Sequence, residues 1–174
     1  MKGLLGFGLS CLFALSAFTP VFAQRREEMW NEAQTMLRVG AFIPLEDEIN
    51  DIQEVWLNVG GDLEFLAFHI IPKWNTVVSL DWFSHNFGED NNAIPLMINQ
   101  RIYSGELGMR RYIQFGIGPV FTDFKPSDTV FGVRAGVGME FTDNLFAEAM
   151  FYWTDETDEG ISVTGVTVCA GMRF

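Results

Sequence analysis

Eight times between Met36 and Phe174 the chain alternates apolar residues with small, polar or charged ones, and the charges keep to one phase. Period-2 alternation is the signature of a strand, because successive side chains leave it on opposite faces. In the last run Val166, Val168, Ala170, Met172 and Phe174 share one face, while Thr167, Cys169, Gly171 and Arg173 share the other. A fold made of such strands must set one face against an apolar medium, and that medium is either a buried core or lipid.

The first residues decide between the two. Lys2 supplies a positive start, Leu4 to Phe18 an apolar stretch, and Val21, Phe22 and Ala23 a cleavage-type end before Gln24. That is a secretion leader over residues 1–23, too short and too rich in Gly and Ser for a spanning helix. Cys11 has apolar residues still following it, which disfavours lipoprotein processing. Beyond Ala23 no second long apolar stretch occurs, although 48% of the chain is hydrophobic. A closed barrel accommodates that composition, since it pairs every backbone group between strands while one face of each strand meets lipid. The expected fold is all-β, an eight-stranded antiparallel up-and-down transmembrane barrel over residues 36–174. A short N-terminal periplasmic segment or helix over 24–35 precedes it. A soluble sandwich or calycin-like barrel is the competing reading, but it would place the charges on its outside.

The eight strand segments run close to the ~9–11 residues that a tilted spanning strand needs. With the N-terminus in the periplasm, the connections Leu45 to Glu54, Asn86 to Asn92, Thr122 to Asp128 and Thr154 to Gly160 point out of the cell. They hold Glu46, Asp47, Glu48, Asp51, Glu54, Glu89, Asp90, Asp123, Asp128, Asp155, Glu156, Asp158 and Glu159. The other end has Leu66 to Lys73, Ser104 to Arg110 and a tight turn at Thr142, Asp143 and Asn144, where Asp and Asn suit turn backbone angles. The first of these is longer and more apolar than a periplasmic turn requires, and interfacial contact by Phe68, Ile70 and Ile71 is the reading it suggests. Aromatic girdles are expected from Trp82, Phe121, Phe131, Phe151 and Trp153 at one end and from Phe65, Phe141 and Phe174 at the other.

Arg38, Asp62, Glu64, Asp81, Arg101, Arg134, Glu140, Glu148 and Arg173 all fall in inward phase. Ions removed from water must be paired and hydrogen-bonded, so these nine are expected to form a structural ionic network. Glycines in the same phase, among them Gly60, Gly116, Gly136 and Gly138, make room for long arginines in a lumen just wide enough for side chains. A polar plug is the favoured reading over a gated ion path.

Chemistry beyond that is sparse. Asp81, Ser84 and His85 lie within five positions, but alternation puts Ser84 opposite the other two, so no catalytic triad closes. Two distant histidines and the single post-leader cysteine, Cys169, give no metal-ligand spacing and no intrachain disulfide. The acidic run Asp155 to Glu159 lacks the glycine-centred loop of a calcium site. The Gly116-Ile117-Gly118 and Gly136-Val137-Gly138 fragments lie within strands, so they are not nucleotide loops. No cofactor, no metal and no enzymatic activity are expected. With Lys2 removed, 23 acidic residues face 10 basic ones, which argues against nucleic acid as a partner.

The stretch Ile94-Pro95-Leu96-Met97-Ile98-Asn99, followed by Tyr112 to Gly118, resembles the paired strand motifs of the small outer-membrane β-barrel family typified by OmpA, OmpX and OmpW. Val133 to Phe141, Leu145 to Tyr152 and the terminal Phe174 are similar to that family's last strands. The resemblance covers residues 36 to 174 and implies location in the outer membrane of a Gram-negative-type bacterium. It also implies insertion by the barrel-assembly machinery, which reads the C-terminal strand through Phe174, Met172, Ala170 and Val168. Two roles follow as expectations. One is a monomeric structural or surface-interaction barrel, its acidic loops bridged to lipopolysaccharide by divalent cations. The alternative is an OmpW-like passage for small hydrophobic molecules, with Pro95 and Pro119 marking an opening in the wall.

Overall fold

The computed structural model describes residues 33–46, 49, 53–85, 91–106, 109–124, 127–157 and 160–174. The leader, most of the 24–35 segment, and Asp47, Glu48, Asp51, Glu89, Asp90, Asp158 and Glu159 lie outside the described residues.

Eight strands form in chain order: β1 Ala33–Pro44, β2 Trp56–Phe65, β3 Asn75–Ser84, β4 Asn92–Ser104, β5 Arg111–Thr122, β6 Asp128–Glu140, β7 Leu145–Thr154 and β8 Gly165–Arg173. Each pairs antiparallel with the next, and β1 pairs with β8, so the sheet closes and has no edge. β1 starts three residues earlier than its side-chain pattern suggests. Ala33, Gln34 and Thr35 pair with Phe65, Glu64 and Leu63, because backbone groups complete a ladder whatever their side chains.

Alternation becomes inside and outside. Leu37 and Val39 are each 55% exposed, whereas Arg38 between them is 3% exposed. The same inversion recurs in Ile113 and Ile117 beside buried Gln114, and in Val168 beside buried Cys169. A soluble barrel would reverse this, so the calycin-like alternative is excluded. Among the described residues no helix is long and apolar enough to cross a membrane, and the strands carry the apolar belt instead.

The interior has two zones. Toward the end bearing the 45–55 connection, the loop end, Phe42, Trp56, Phe83, Ala93, Val120 and Val130 form an apolar core. Phe42 stacks on Phe83 at 4.4 Å, and Trp56 meets Phe42 edge-on at 6.3 Å. Two residues of the loop-end connections, Ile49 and Phe124, are buried in the same cluster. Ile49 and Phe124 therefore help to stop the mouth at the loop end. The interior is not polar throughout, because the inward positions at the loop ends of the strands hold Phe42, Trp56, Phe83 and Val120, while the charges occupy the middle and the turn end. Toward the opposite, turn end lies the ionic zone.

The 66–74 connection has a definite fold. The Ile71 amide donates to Gln100 Oε1 at 3.1 Å and the Ile70 amide to Thr76 Oγ1 at 3.3 Å. Thr76 and Gln100 have outward phase yet are only 2% and 5% exposed. The connection thus folds back over the outer wall at the turn end, with Lys73 at φ 70° and Trp74 edge-on to Phe115 at 5.3 Å. Phe65 is buried at the foot of this flap, unlike the exposed Phe141 and Phe174 with which sequence grouped it. Its register partner is Thr76, one of the residues the flap covers.

The 142–144 turn differs from its sequence reading too. Neither Asp143 nor Asn144 takes a positive φ. Thr142 Oγ1 instead accepts from the Asn144 and Leu145 amides, and the Asn144 side chain donates to the Arg173 carbonyl at 3.0 Å. Side-chain acceptors do what special backbone angles would otherwise do.

Candidate functional site

The nine inward-phase ionic residues come together. They are also the nine charged side chains that are buried among the described residues, and none exceeds 7% exposure. Asp81 of β3 is the hub. Arg38 Nη2 donates to both of its oxygens at 2.7 Å, Arg134 Nη1 to Oδ2 at 2.9 Å and the Tyr152 hydroxyl to Oδ2 at 2.8 Å. Asp62 of β2 accepts from Arg38, from Arg101 Nη2 at 2.7 Å and from Ser79 Oγ at 2.6 Å. Glu64 accepts from Asn75 Nδ2 and from the Tyr103 hydroxyl, both at 2.8 Å. Glu148 accepts from Tyr112 at 2.7 Å and lies 3.2 Å from Arg38 Nε. Glu140 pairs with Arg173.

Arg110 completes the charge balance. It lies in the 105–110 connection and donates from Nε and Nη2 to the two oxygens of Glu140, at 2.7 and 2.9 Å. With it the cluster has five guanidinium groups and five carboxylates. Partial loss of hydration works against the Arg110 charge, but the hydrogen bond and charge of Glu140 outweigh it and its pKa is raised. Arg110 escapes a reading by parity because it lies in a connection, just before β5 begins.

Strand register explains how the pairs meet. Arg38, Gly60 and Asp81 are successive partners on β1, β2 and β3. Asn99, Gly116 and Arg134 are partners on β4, β5 and β6, and Tyr112, Gly138 and Glu148 on β5, β6 and β7. In each row the outer two residues bond across the glycine of the strand between: Arg38 to Asp81, Arg134 Nε to Asn99 Oδ1 at 2.7 Å, and Tyr112 to Glu148. A Cβ at Gly60 would stand against the Asp81 carboxylate and Arg38 Nε, and one at Gly138 against the Tyr112 ring. The glycines are gaps through which polar groups two strands apart make contact.

All three tyrosines of the chain belong to this zone, and each donates to a carboxylate. Their rings also receive cations, with Arg110 over Tyr103 at 4.2 Å and Arg101 over Tyr112 at 4.5 Å. Tyr103, Asn99, Ser79 and Gln114 join the network as neutral partners of these ions. The charge of a residue announces its need for a partner, whereas a neutral polar partner is found only by register.

The residues weighed for catalysis stay apart in role. Asp81 is committed to two arginines and a tyrosine, while the His85 ring lies tilted on Trp56 at 5.4 Å. Among the described residues no group of three or more His, Cys, Asp or Glu is arranged to hold a metal ion. Cys169 is buried and accepts from Asn58 Nδ2 at 3.2 Å. Of the C-terminal residues, Val168, Ala170, Met172 and Phe174 face outward, and the Phe174 amide donates to the Thr35 carbonyl of β1 at 2.9 Å.

Neisserial surface protein A matches the chain over 82% of its length and 96% of its own, with a TM-score of 0.54 and 9% identity. The fold is that of a small outer-membrane β-barrel. Weaker similarities are to the N-terminal β-barrel domain of Pseudomonas aeruginosa OprF (TM-score 0.49, 14% identity) and to the attachment invasion locus protein Ail of Yersinia pestis (TM-score 0.46, 16% identity). Each covers 82% of this chain, and the chain covers 98% and 99% of theirs respectively. No family model matches the sequence, and no curated protein sequence does.

Proposed function

We propose that the protein is an integral outer-membrane barrel that serves as a structural and surface-interaction element of a Gram-negative-type envelope, not as a channel. The supporting observation is the filled interior: an ionic zone whose nine strand-borne charged groups are each no more than 7% exposed, backed at the loop end by a stacked aromatic core. An ion entering that zone would have to break hydrogen-bonded pairs already removed from water. In this reading the loop end faces out of the cell, the acidic connections meet lipopolysaccharide through divalent cations, and the barrel acts as a monomer. The C-terminal residues Val168 to Phe174 present the assembly signal. Planar-bilayer recording on the purified full chain tests it: no sustained conductance is expected, and stable conductance steps overturn it.

One feature supports the passage reading as a second possibility. Register pairing lapses on both sides of the same segment of β4, between Leu80–Leu96 and Phe83–Ala93 toward β3, and between Pro95–Val120 and Ile98–Ile117 toward β5. Pro95 has no amide to donate there, and the apolar core lies behind it. Faster entry of an apolar dye into vesicles containing the barrel than into empty ones, abolished by filling the core with Ala93→Phe, is the outcome this reading requires.

A further inference from the structure

Along the eight strands the outward phase carries a single charged residue, Arg111. Its neighbour Arg110 turns to Glu140, but Arg111 is exposed on the outer wall at the turn end. Among the described residues no carboxylate forms an ion pair with it. By register it stands between Ser104 of β4 and Met139 of β6.

Arg111 and Ser104 border a groove of about 670 Å³ on the lipid-facing surface. The groove exists because β7 presents Ala147 and Ala149 where neighbouring strands present Val137, Met139 and Val168. Its volume lies in the ~300–1,000 Å³ range of sites that hold a small ligand. The floor and walls are apolar, and the one cation stands at the rim, on the first residue of β5 at the turn end.

We infer that this groove is a binding site for one phospholipid of the leaflet at the turn end. An acyl chain lies over Ala147 and Ala149, and the phosphate is met by the Arg111 guanidinium and the Ser104 hydroxyl. An arginine on a bare convex wall would only reach toward the interface. Here the same side chain borders a depression that a straight hydrocarbon chain fills, so charge and shape select the same molecule. A guanidinium offers a phosphate paired donors in a fixed plane, which a diffuse headgroup layer does not need. The inference rests on the outer-membrane reading, which makes the turn-end leaflet the phospholipid-containing periplasmic one.

Native mass spectrometry of the full barrel in detergent, incubated with palmitoyl-oleoyl phosphatidylglycerol, tests it. The wild type is expected to retain one phospholipid at collision energies that strip the rest. Arg111→Ala is expected to lower that retention about tenfold, the loss of one charge-assisted contact. Ala149→Phe, which fills the groove and keeps Arg111, is expected to lower it as much. Val168→Phe narrows the groove from its other wall and replaces Ala149→Phe if that variant folds poorly, as judged by its heat-modifiable band. Equal retention in wild type and variants shows annular lipid alone and overturns the site. Failure of the wild type to insert into phospholipid vesicles overturns the outer-membrane reading and the site together, whereas insertion without a selectively retained lipid overturns the site alone.

Discussion

Asp81 neutralises two buried guanidinium groups and accepts a tyrosine hydroxyl, so truncating it strands charge that water cannot reach. Asp81→Ala is expected to destabilise the barrel by about 3–5 kcal/mol, read as the urea midpoint in detergent micelles. Arg110 makes an ion pair of similar geometry, but its side chain is 23% exposed and its partner Glu140 keeps Arg173. Arg110→Ala should therefore cost about 1 kcal/mol or less in the same titration. A value as large as that of Asp81→Ala would show that the rim is as dry as the centre. At Gly138 a methyl group would meet the Tyr112 ring, which is held by Glu148 and covered by Arg101. Gly138→Ala should lower stability by about 1–3 kcal/mol and alter the near-ultraviolet circular dichroism of the tyrosines.

Strands and connections answer to different constraints. Val133 is in outward phase on β6, directly preceding the inward Arg134, so one step along the strand separates hydrocarbon from the ionic zone. Val133→Arg should cost about 2–4 kcal/mol in a bilayer, and little in a detergent that wets the belt. Equal costs in both media would mean that this face does not meet lipid. The 66–74 flap is held to the wall by amide hydrogen bonds to Thr76 and Gln100. In Gln100→Leu the Ile71 amide loses its acceptor, and its hydrogen exchange should accelerate while amides of the β3–β4 ladder stay protected. That length of connection, puzzling as a turn, is accounted for by the stretch of outer wall it covers.

For the whole molecule, closure depends on the β1–β8 seam, to which the Phe174 amide contributes its bond to Thr35. Deleting Phe174 removes that bond and the terminal aromatic at once. Outer-membrane yield should fall while secretion across the inner membrane continues, measured by fractionation and by the heat-modifiable band. Unchanged yield would remove the assembly role from this residue. The balance of five guanidinium groups against five carboxylates is a property of the closed barrel alone, since its members come from β1, β2, β3, β4, β6, β7, β8 and one connection.

Parity along each strand, a local property, was enough to separate Arg38 from Leu37 and Arg134 from Val133, and with them the inner and outer faces. Strand number followed from counting the alternating runs. Parity gives out where strands end: Arg110, the buried Ile49 and Phe124 of the loop-end connections, and the fold-back of residues 66–74 all lie beyond its reach. It is also silent on register, because it says which way a side chain points but not what stands across from it. The three rows in which a glycine lets its two neighbours bond, the tyrosine donors to Glu64, Asp81 and Glu148, and the groove beside Arg111 exist only once eight strands have chosen their offsets and closed. Facing is set by the pleat of one strand, and partnership by the geometry of all of them together.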